Sequence, residues 1–283
     1  MTDQLVRFIF DSTDIRGEWV QLQEAYRDTL ANHHYAPGVR RLVGEFLAAA
    51  ALLGATLKFE GMLILQARSK GQVPLIMAEA TSGGAVRAIV RGAEAAIGED
   101  FRTLIGQGQL TITIDPVGGQ RYQGIVGMNA DSLAGCLEDY FRQSEQLPTR
   151  LWLAADDRTA AGMLLQELPS NTDPQRRQQQ WQHLVALSDT ISHSELLTLS
   201  ATDLLRRLFH QESLRLLRED AIHFQCSCSR ARTEAMLRSL GRNEIESIIS
   251  EQGSIFVNCE FCLQNYHFSP EQALSLFAGP GHH

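Results

Sequence analysis

Five cysteines lie along the 283-residue chain: Cys136, Cys226, Cys228, Cys259 and Cys262. The last four form Cys-Ser-Cys and Cys-Glu-Phe-Cys, with 30 residues between the pairs. Thiolate is a soft donor. Four thiolates in a tetrahedral arrangement suit Zn²⁺, which accepts sulfur and has no d-electron geometry to satisfy. A Cys-x-x-Cys turn presents two sulfurs to one ion. On a strand, residues i and i+2 share a face, so Cys226 and Cys228 are expected to do the same. The pattern departs from the common doubled Cys-x-x-Cys in its Cys-x-Cys half and its longer gap, and buried thiols or a plain redox pair remain as alternatives. A Cys₄ set has no open coordination position, which argues against catalytic zinc.

The segment carrying these cysteines, 222–283, is about 60 residues long, near the size at which a hydrophobic core alone stops sufficing. Structural zinc in small modules contributes on the order of 10–16 kcal/mol, so its removal is expected to unfold this segment. A disulfide sulfur binds zinc poorly, and oxidation is therefore one route to removal. Strand residues i and i+2 stand about 6.6 Å apart at Cα, near the upper edge of disulfide reach. A Cys226–Cys228 bond is then expected to require a backbone change. An inert zinc knuckle satisfies the same motif.

The elements that must position these thiols read as follows. Val6–Phe10 is a strand; Gln21–His34 and Val39–Leu57 are helices, the second Ala-rich and buried. The runs MLILQAR, VPLIMAEA, AVRAIVRG, LTITIDP and YQGIVGM are strands separated by KGQ, TSGG and VGGQ turns. Asp131–Gln146 is a helix, and RLWLAA and AGMLLQEL are two more strands. The fold class is α+β, with a two-layer core domain at 1–170. Polar, Gln-rich sequence follows Pro169, and apolar residues from Leu184 to Phe209 then recur at helical spacing, giving a helical linker at 171–221. The C-terminal Cys₄ zinc-binding domain occupies 222–283, with helices near Ala231–Leu240 and Glu244–Glu251 and short strands around each cysteine pair.

Hydrophobic residues are 44% of the chain and charged residues 20%, a globular balance. The longest uncharged apolar stretch, Phe46–Leu57, is too short to span a bilayer, so no membrane partner is expected. The N-terminus lacks the pattern of a signal peptide, and a cytoplasmic protein is the expectation. With 33 acidic and 25 basic residues the net charge is −8, which disfavours nucleic acid. The densest basic cluster is Arg230, Arg232, Arg238 and Arg242. Cys136, among Leu133, Leu137, Tyr140 and Phe141, reads as a buried core thiol. His33 and His34 read as a helix-end feature. Gly83-Gly84, Gly118-Gly119 and Asp156-Asp157 read as turns. His193-Ser-Glu195 with Cys259-x-x-Cys262 has the outline of a zinc deaminase motif, but Asn258 replaces the proline, and Cys226 and Cys228 would be left without a role.

Four stretches carry a resemblance over nearly the whole chain: Tyr140 to Leu151 (YFRQSEQLPTRL), DPVGGQRYQGIVGM, LLRRLFHQESLRLL, and FQCSCSR with VNCEFC followed by NYHF. In these the sequence resembles the heat-shock protein 33 family, redox-regulated bacterial holdase chaperones. The resemblance implies that Cys226, Cys228, Cys259 and Cys262 hold one Zn²⁺ per chain in a reduced, inactive form. It implies disulfides Cys226–Cys228 and Cys259–Cys262 on oxidation, loss of zinc, and unfolding of the C-terminal domain and linker. It also implies an active homodimer that binds unfolding client proteins without ATP, and no enzymatic turnover. The competing readings are a thiol-disulfide oxidoreductase, which would need an exposed thiol of low pKa beside a resolving partner, and a zinc-module nucleic-acid binder.

Overall fold

The computed structural model describes residues 3–11, 13–56, 60–170 and 173–277. Leu57 at the end of an expected helix, Asn171 at the start of the expected linker, and the AGPGHH tail at 278–283 lie outside the described residues. The chain forms two compact units, 1–225 and 226–283.

In the first unit the strands are β1 Gln4–Phe10, β2 Ile15–Leu22, β3 Gly61–Ser69, β4 Leu75–Thr81, β5 Ala85–Arg91, β6 Gly108–Pro116, β7 Tyr122–Gly127, β8 Thr149–Ala155, β9 Ala160–Glu167, β10 Leu214–Ala221 and β11 His223–Phe224. The helices are α1 Glu24–Leu30, α2 Pro37–Ala55, α3 Phe101–Ile105, α4 Leu133–Tyr140, α5 Pro174–Ser188, α6 His193–Thr198 and α7 Ala201–Phe209. One sheet has the order β10-β1-β2-β9-β8 and the other β11-β5-β4-β3-β6-β7. This is α+β, as the sequence led one to expect.

Helix α2 lies in the core between the sheets. It is apolar on nearly every face, as a fully enclosed helix must be: Val39, Phe46, Leu47, Ala48, Ala49, Ala50 and Leu52 have no exposed surface. Its small residues permit close approach. A Cβ at Gly44 would meet the Cβ atoms of Ala155 and Ala160 at 2.6 and 3.0 Å. The five-stranded sheet is buried on both faces. Val20, Leu22 and Leu164 join the α2 core, while Val6, Phe8, Phe10, Trp19, Met163 and Leu165 join a second core. The second core is closed by Leu184, Leu196, Leu204, Leu205, Leu208 and Phe209 of α5–α7.

The connecting helices are individually well capped. Asp173 accepts from Arg176 N, Ser200 from Asp203 N, and Ser192 forms a capping box with Glu195. That capping box accounts for His193-Ser-Glu195 without a metal. Two expectations are corrected. Gln21–His34 is not one helix: β2 runs through Leu22 before α1 begins, because Trp19, Val20 and Leu22 alternate between two buried faces. The linker is not helical to 221, since Leu214–Ala221 forms β10, paired antiparallel with β1. Cys136 is fully buried, and the turns expected at Gly84, Gly118 and Asp156 are present. Among the described residues no helix is long and apolar enough to cross a membrane.

Glu18 on β2 is 2% exposed. Burial pushes its carboxyl up to about 7, against the pull of the Arg16 and Arg7 guanidiniums. Between its ordinary value of 4.5 and about 7 the folded chain retains a proton that the unfolded chain has released. The contribution to stability is therefore complete below pH 4.5 and is lost as the pH rises through 7. Glu18→Gln, neutral throughout, is expected to gain on the parent by on the order of 3 kcal/mol across that window, read from urea unfolding at both ends.

Candidate metal centre

The second unit contains α8 Arg230–Leu240, α9 Arg242–Gln252, β12 Ile255–Asn258, β13 Asn265–Phe268 and α10 Pro270–Ser275. Among the described residues its buried apolar side chains are Leu237, Ile245, Ile255, Phe268 and Ala273, with partly buried hydrophobics of α9, β12, β13 and the chain after α10 packed against them. So small a core supplies little of the burial that offsets backbone ordering.

β12 and β13 pair antiparallel, Ile255 opposite Phe268 and Asn258 opposite Asn265. The turn between them carries Cys259 and Cys262. It is closed by Cys259 N donating to Gln264 O at 2.9 Å and Leu263 N to Cys259 O at 2.7 Å. Leu263 takes a left-handed φ of 56° to complete the turn, a conformation an L-residue adopts at a cost of about 1–2 kcal/mol. Cys226 and Cys228 come from the segment before α8. The expectation of a strand there is corrected: residues 225–229 belong to no strand or helix. The segment is held from the side, where Arg232 Nη1 donates to Ser227 O at 3.0 Å and Ser227 Oγ at 2.6 Å. Ser229 then caps α8 by accepting from Arg232 N.

These two pieces bring all four sulfurs within 4.8 Å of one another. Cys226 Sγ lies 3.5 Å from Cys259 Sγ, and Cys228 Sγ lies 3.4 Å from Cys262 Sγ. A tetrahedron with Zn–S bonds of about 2.3 Å has edges of about 3.8 Å, so the donors match that ion in type, number and spacing. All four cysteines are half-buried and free of disulfides. Burial above all, then hydrogen bonding with the other three sulfurs, pushes the Cys262 thiol up to about 12 against the pull of the Gln264 backbone amide. Four thiolates so close require a cation. The N-terminus of α8, which begins after Cys228, adds a favourable dipole.

Three supporting residues were not legible as such in the sequence. Tyr266 Oη donates to Cys228 Sγ at 3.2 Å; that hydrogen bond, before burial, lifts the phenol to about 12 and keeps it a donor. Arg230 lies over the Phe268 ring at 4.3 Å and donates to His267 O. Arg232 clamps Ser227, as above. The basic cluster is thereby accounted for, since Arg238 donates to Leu276 O and Arg242 to Glu246. These guanidiniums are engaged within the unit, which weakens the nucleic-acid alternative.

A family model described as Hsp33 protein matches residues 3–269. A "33 kDa chaperonin" of Pseudomonas aeruginosa is 49% identical over 285 residues, covering 99% of this chain and 96% of that protein. That of Azotobacter vinelandii is 50% identical over 280 residues, covering 97% and 94%. Among solved structures, the crystal structure of 33 kDa chaperonin (heat shock protein 33 homolog) from Thermotoga maritima matches with a TM-score of 0.85 and 22% identity, covering 98% of each chain.

Replacing Cys226 with Ser removes one of the four donors. The variant is expected to lose tight Zn²⁺ binding and amide protection across 226–277, while β1–β9 keep theirs. Metal analysis and hydrogen exchange of the full chain check this.

Proposed function

Because this chain belongs to the Hsp33 family, we propose that it is a redox-regulated, ATP-independent holdase: zinc-bound and inactive when reduced, and opened by oxidation to bind unfolding proteins. The single observation that carries the reading is the convergence of four thiols, from two separate pieces of chain, in a unit whose described residues fully bury only a small apolar core. A bound Zn²⁺ would neutralise the thiolates and cross-link the two pieces. The ligands would be Cys226, Cys228, Cys259 and Cys262.

Oxidation acts on those ligands. Within a pair, one thiolate attacks peroxide, the O–O bond breaks, and a sulfenic acid and hydroxide result. The partner thiol displaces the sulfenic oxygen as water, leaving a disulfide, and one peroxide has been reduced by two electrons. The pairs proposed are Cys226–Cys228 and Cys259–Cys262. Two disulfides leave no thiolate donor, and the second unit loses its cross-link.

The proposed roles along the chain are a core domain at 1–170, a releasable linker at 171–221 and a redox-switch domain at 222–283. Chain connectivity supports this arrangement, because Cys226 directly follows Gln225, the last residue of the first unit. The linker helices cover an apolar face that includes Phe8, Phe10, Trp19, Met163 and Leu165. Their own hold is uneven: α5 buries only Leu184 and Ser188, whereas α7 buries Ala201, Leu204, Leu205, Leu208 and Phe209. Uncovering that face gives a surface of the kind that binds non-native chains. The active form is proposed to be a homodimer, and the setting cytoplasmic, where thiols are kept reduced until stress.

The full chain is treated with peroxide under mild heating while zinc release and the light scattering of a thermally unfolding client are followed together. Zinc release with suppressed aggregation is expected. Release without suppression rejects the holdase reading, and reduction of insulin at catalytic rates replaces it with an oxidoreductase. Leu204→Ala leaves a cavity in the second core worth about 2–5 kcal/mol. It is expected to lower amide protection across α5–α7 and confer client binding on the reduced, zinc-loaded chain.

A further inference from the structure

The phenol of Tyr266 stands outside the four-thiol set but touches it. Its oxygen lies 3.2 Å from Cys228 Sγ, across 38 positions of sequence. It is delivered by rigid parts: Tyr266 sits in β13 opposite Val257 of β12, and Cys228 sits one residue before the Ser229 cap of α8. A neutral phenol has one proton to donate, and here the sulfur accepts it.

We propose that Tyr266 is a positioning residue that holds Cys228 in its metal-ligating, unreactive state. This rests on the thiols binding a metal as proposed above. A hydrogen bond to a thiolate stabilises its negative charge and occupies a sulfur lone pair. The first effect strengthens retention of a divalent cation, as groups that orient and charge-stabilise metal ligands generally do. The second lowers the nucleophilicity of Cys228, slowing its attack on peroxide, in which an S–O bond forms, the O–O bond breaks and hydroxide leaves. Tyr266 thus sets the oxidant level at which this ligand is lost.

The test uses the full reduced chain and Tyr266→Phe, which keeps the ring and removes only the hydroxyl. Zn²⁺ affinity is read by competition with a chromophoric chelator, and a 10–100-fold loss is expected. With Co²⁺ in place of Zn²⁺, the sulfur-to-cobalt charge-transfer band is expected at lower energy in the variant, because an unbonded thiolate gives up its electron more readily. Zinc release by peroxide is expected to be faster. A second protein with 3-fluorotyrosine at 266, whose phenol is a stronger donor, is expected to move the band to higher energy, and it serves if the Phe variant does not fold. Unchanged affinity and superimposable cobalt spectra overturn the proposal. A parent chain that shows no sulfur-to-cobalt band overturns the metal site itself, a distinct result.

Discussion

Four sulfurs within 4.8 Å of one another are electrostatically untenable as thiolates without a cation, and as neutral thiols they cross-link nothing. Burial raises the Cys262 thiol in the same sense, disfavouring its charged form unless a cation is present. Metal binding deprotonates the ligands, and the binding free energy then becomes folding free energy. Among the described residues of the second unit the other sources of stability are a core of five buried side chains with partly buried apolar neighbours, and the Arg230–Phe268 contact. If the cluster binds a metal as proposed, charge state, metal occupancy and folding become one variable there, and chemistry that changes the sulfurs would change the fold.

The first unit is built on the opposite principle. Its central helix is enclosed by two sheets, and its stability does not depend on any single group. Between these extremes lie α5–α7. Their caps stabilise each helix locally, and Arg207 of α7 pairs with Glu195 of α6, but their docking rests on apolar side chains concentrated in α7. Stability thus falls unevenly along the chain, and the segments that open at the lowest cost are those with the fewest buried contacts. Such a gradient lets a chemical event at one end uncover surface while the central fold persists.

The four-thiol cluster was legible in sequence because a candidate metal site is defined by residue type and number, which survive without coordinates. Strands β3–β7 were legible because each is a short run rich in apolar residues bounded by turn residues. β2 was not, because both its faces are buried and Gly17 and Glu18 break the apolar pattern; only the pairing with β1 and β9 identifies it. The backbone of Cys226–Cys228 was misjudged for a related reason. A strand needs a neighbour, and this segment is held by an arginine side chain from α8. The arginine cluster read as a surface patch because sequence cannot show which guanidiniums are engaged. Tyr266 was visible in the motif only as a spacing, its contact with Cys228 being made through the register of a hairpin of two four-residue strands.

The crossed geometry of the sulfurs bears on which disulfides suit a switch. Cys226 lies 3.5 Å from Cys259 and Cys228 lies 3.4 Å from Cys262, and each of these pairs joins the loop before α8 to the β12–β13 turn. A disulfide across either pair would close a loop of more than thirty residues. In the chain-entropy view it would stabilise the folded unit by roughly 4 kcal/mol, substituting one cross-link for another. Pairing within each motif closes loops too short to constrain the unfolded chain in that way, and joins only residues that are already neighbours. It removes all four donors and restores no connection between the two pieces. On the proposal that this unit opens when oxidised, within-motif pairing would convert sulfur chemistry into loss of structure, whereas pairing across the two pieces would lock the unit shut.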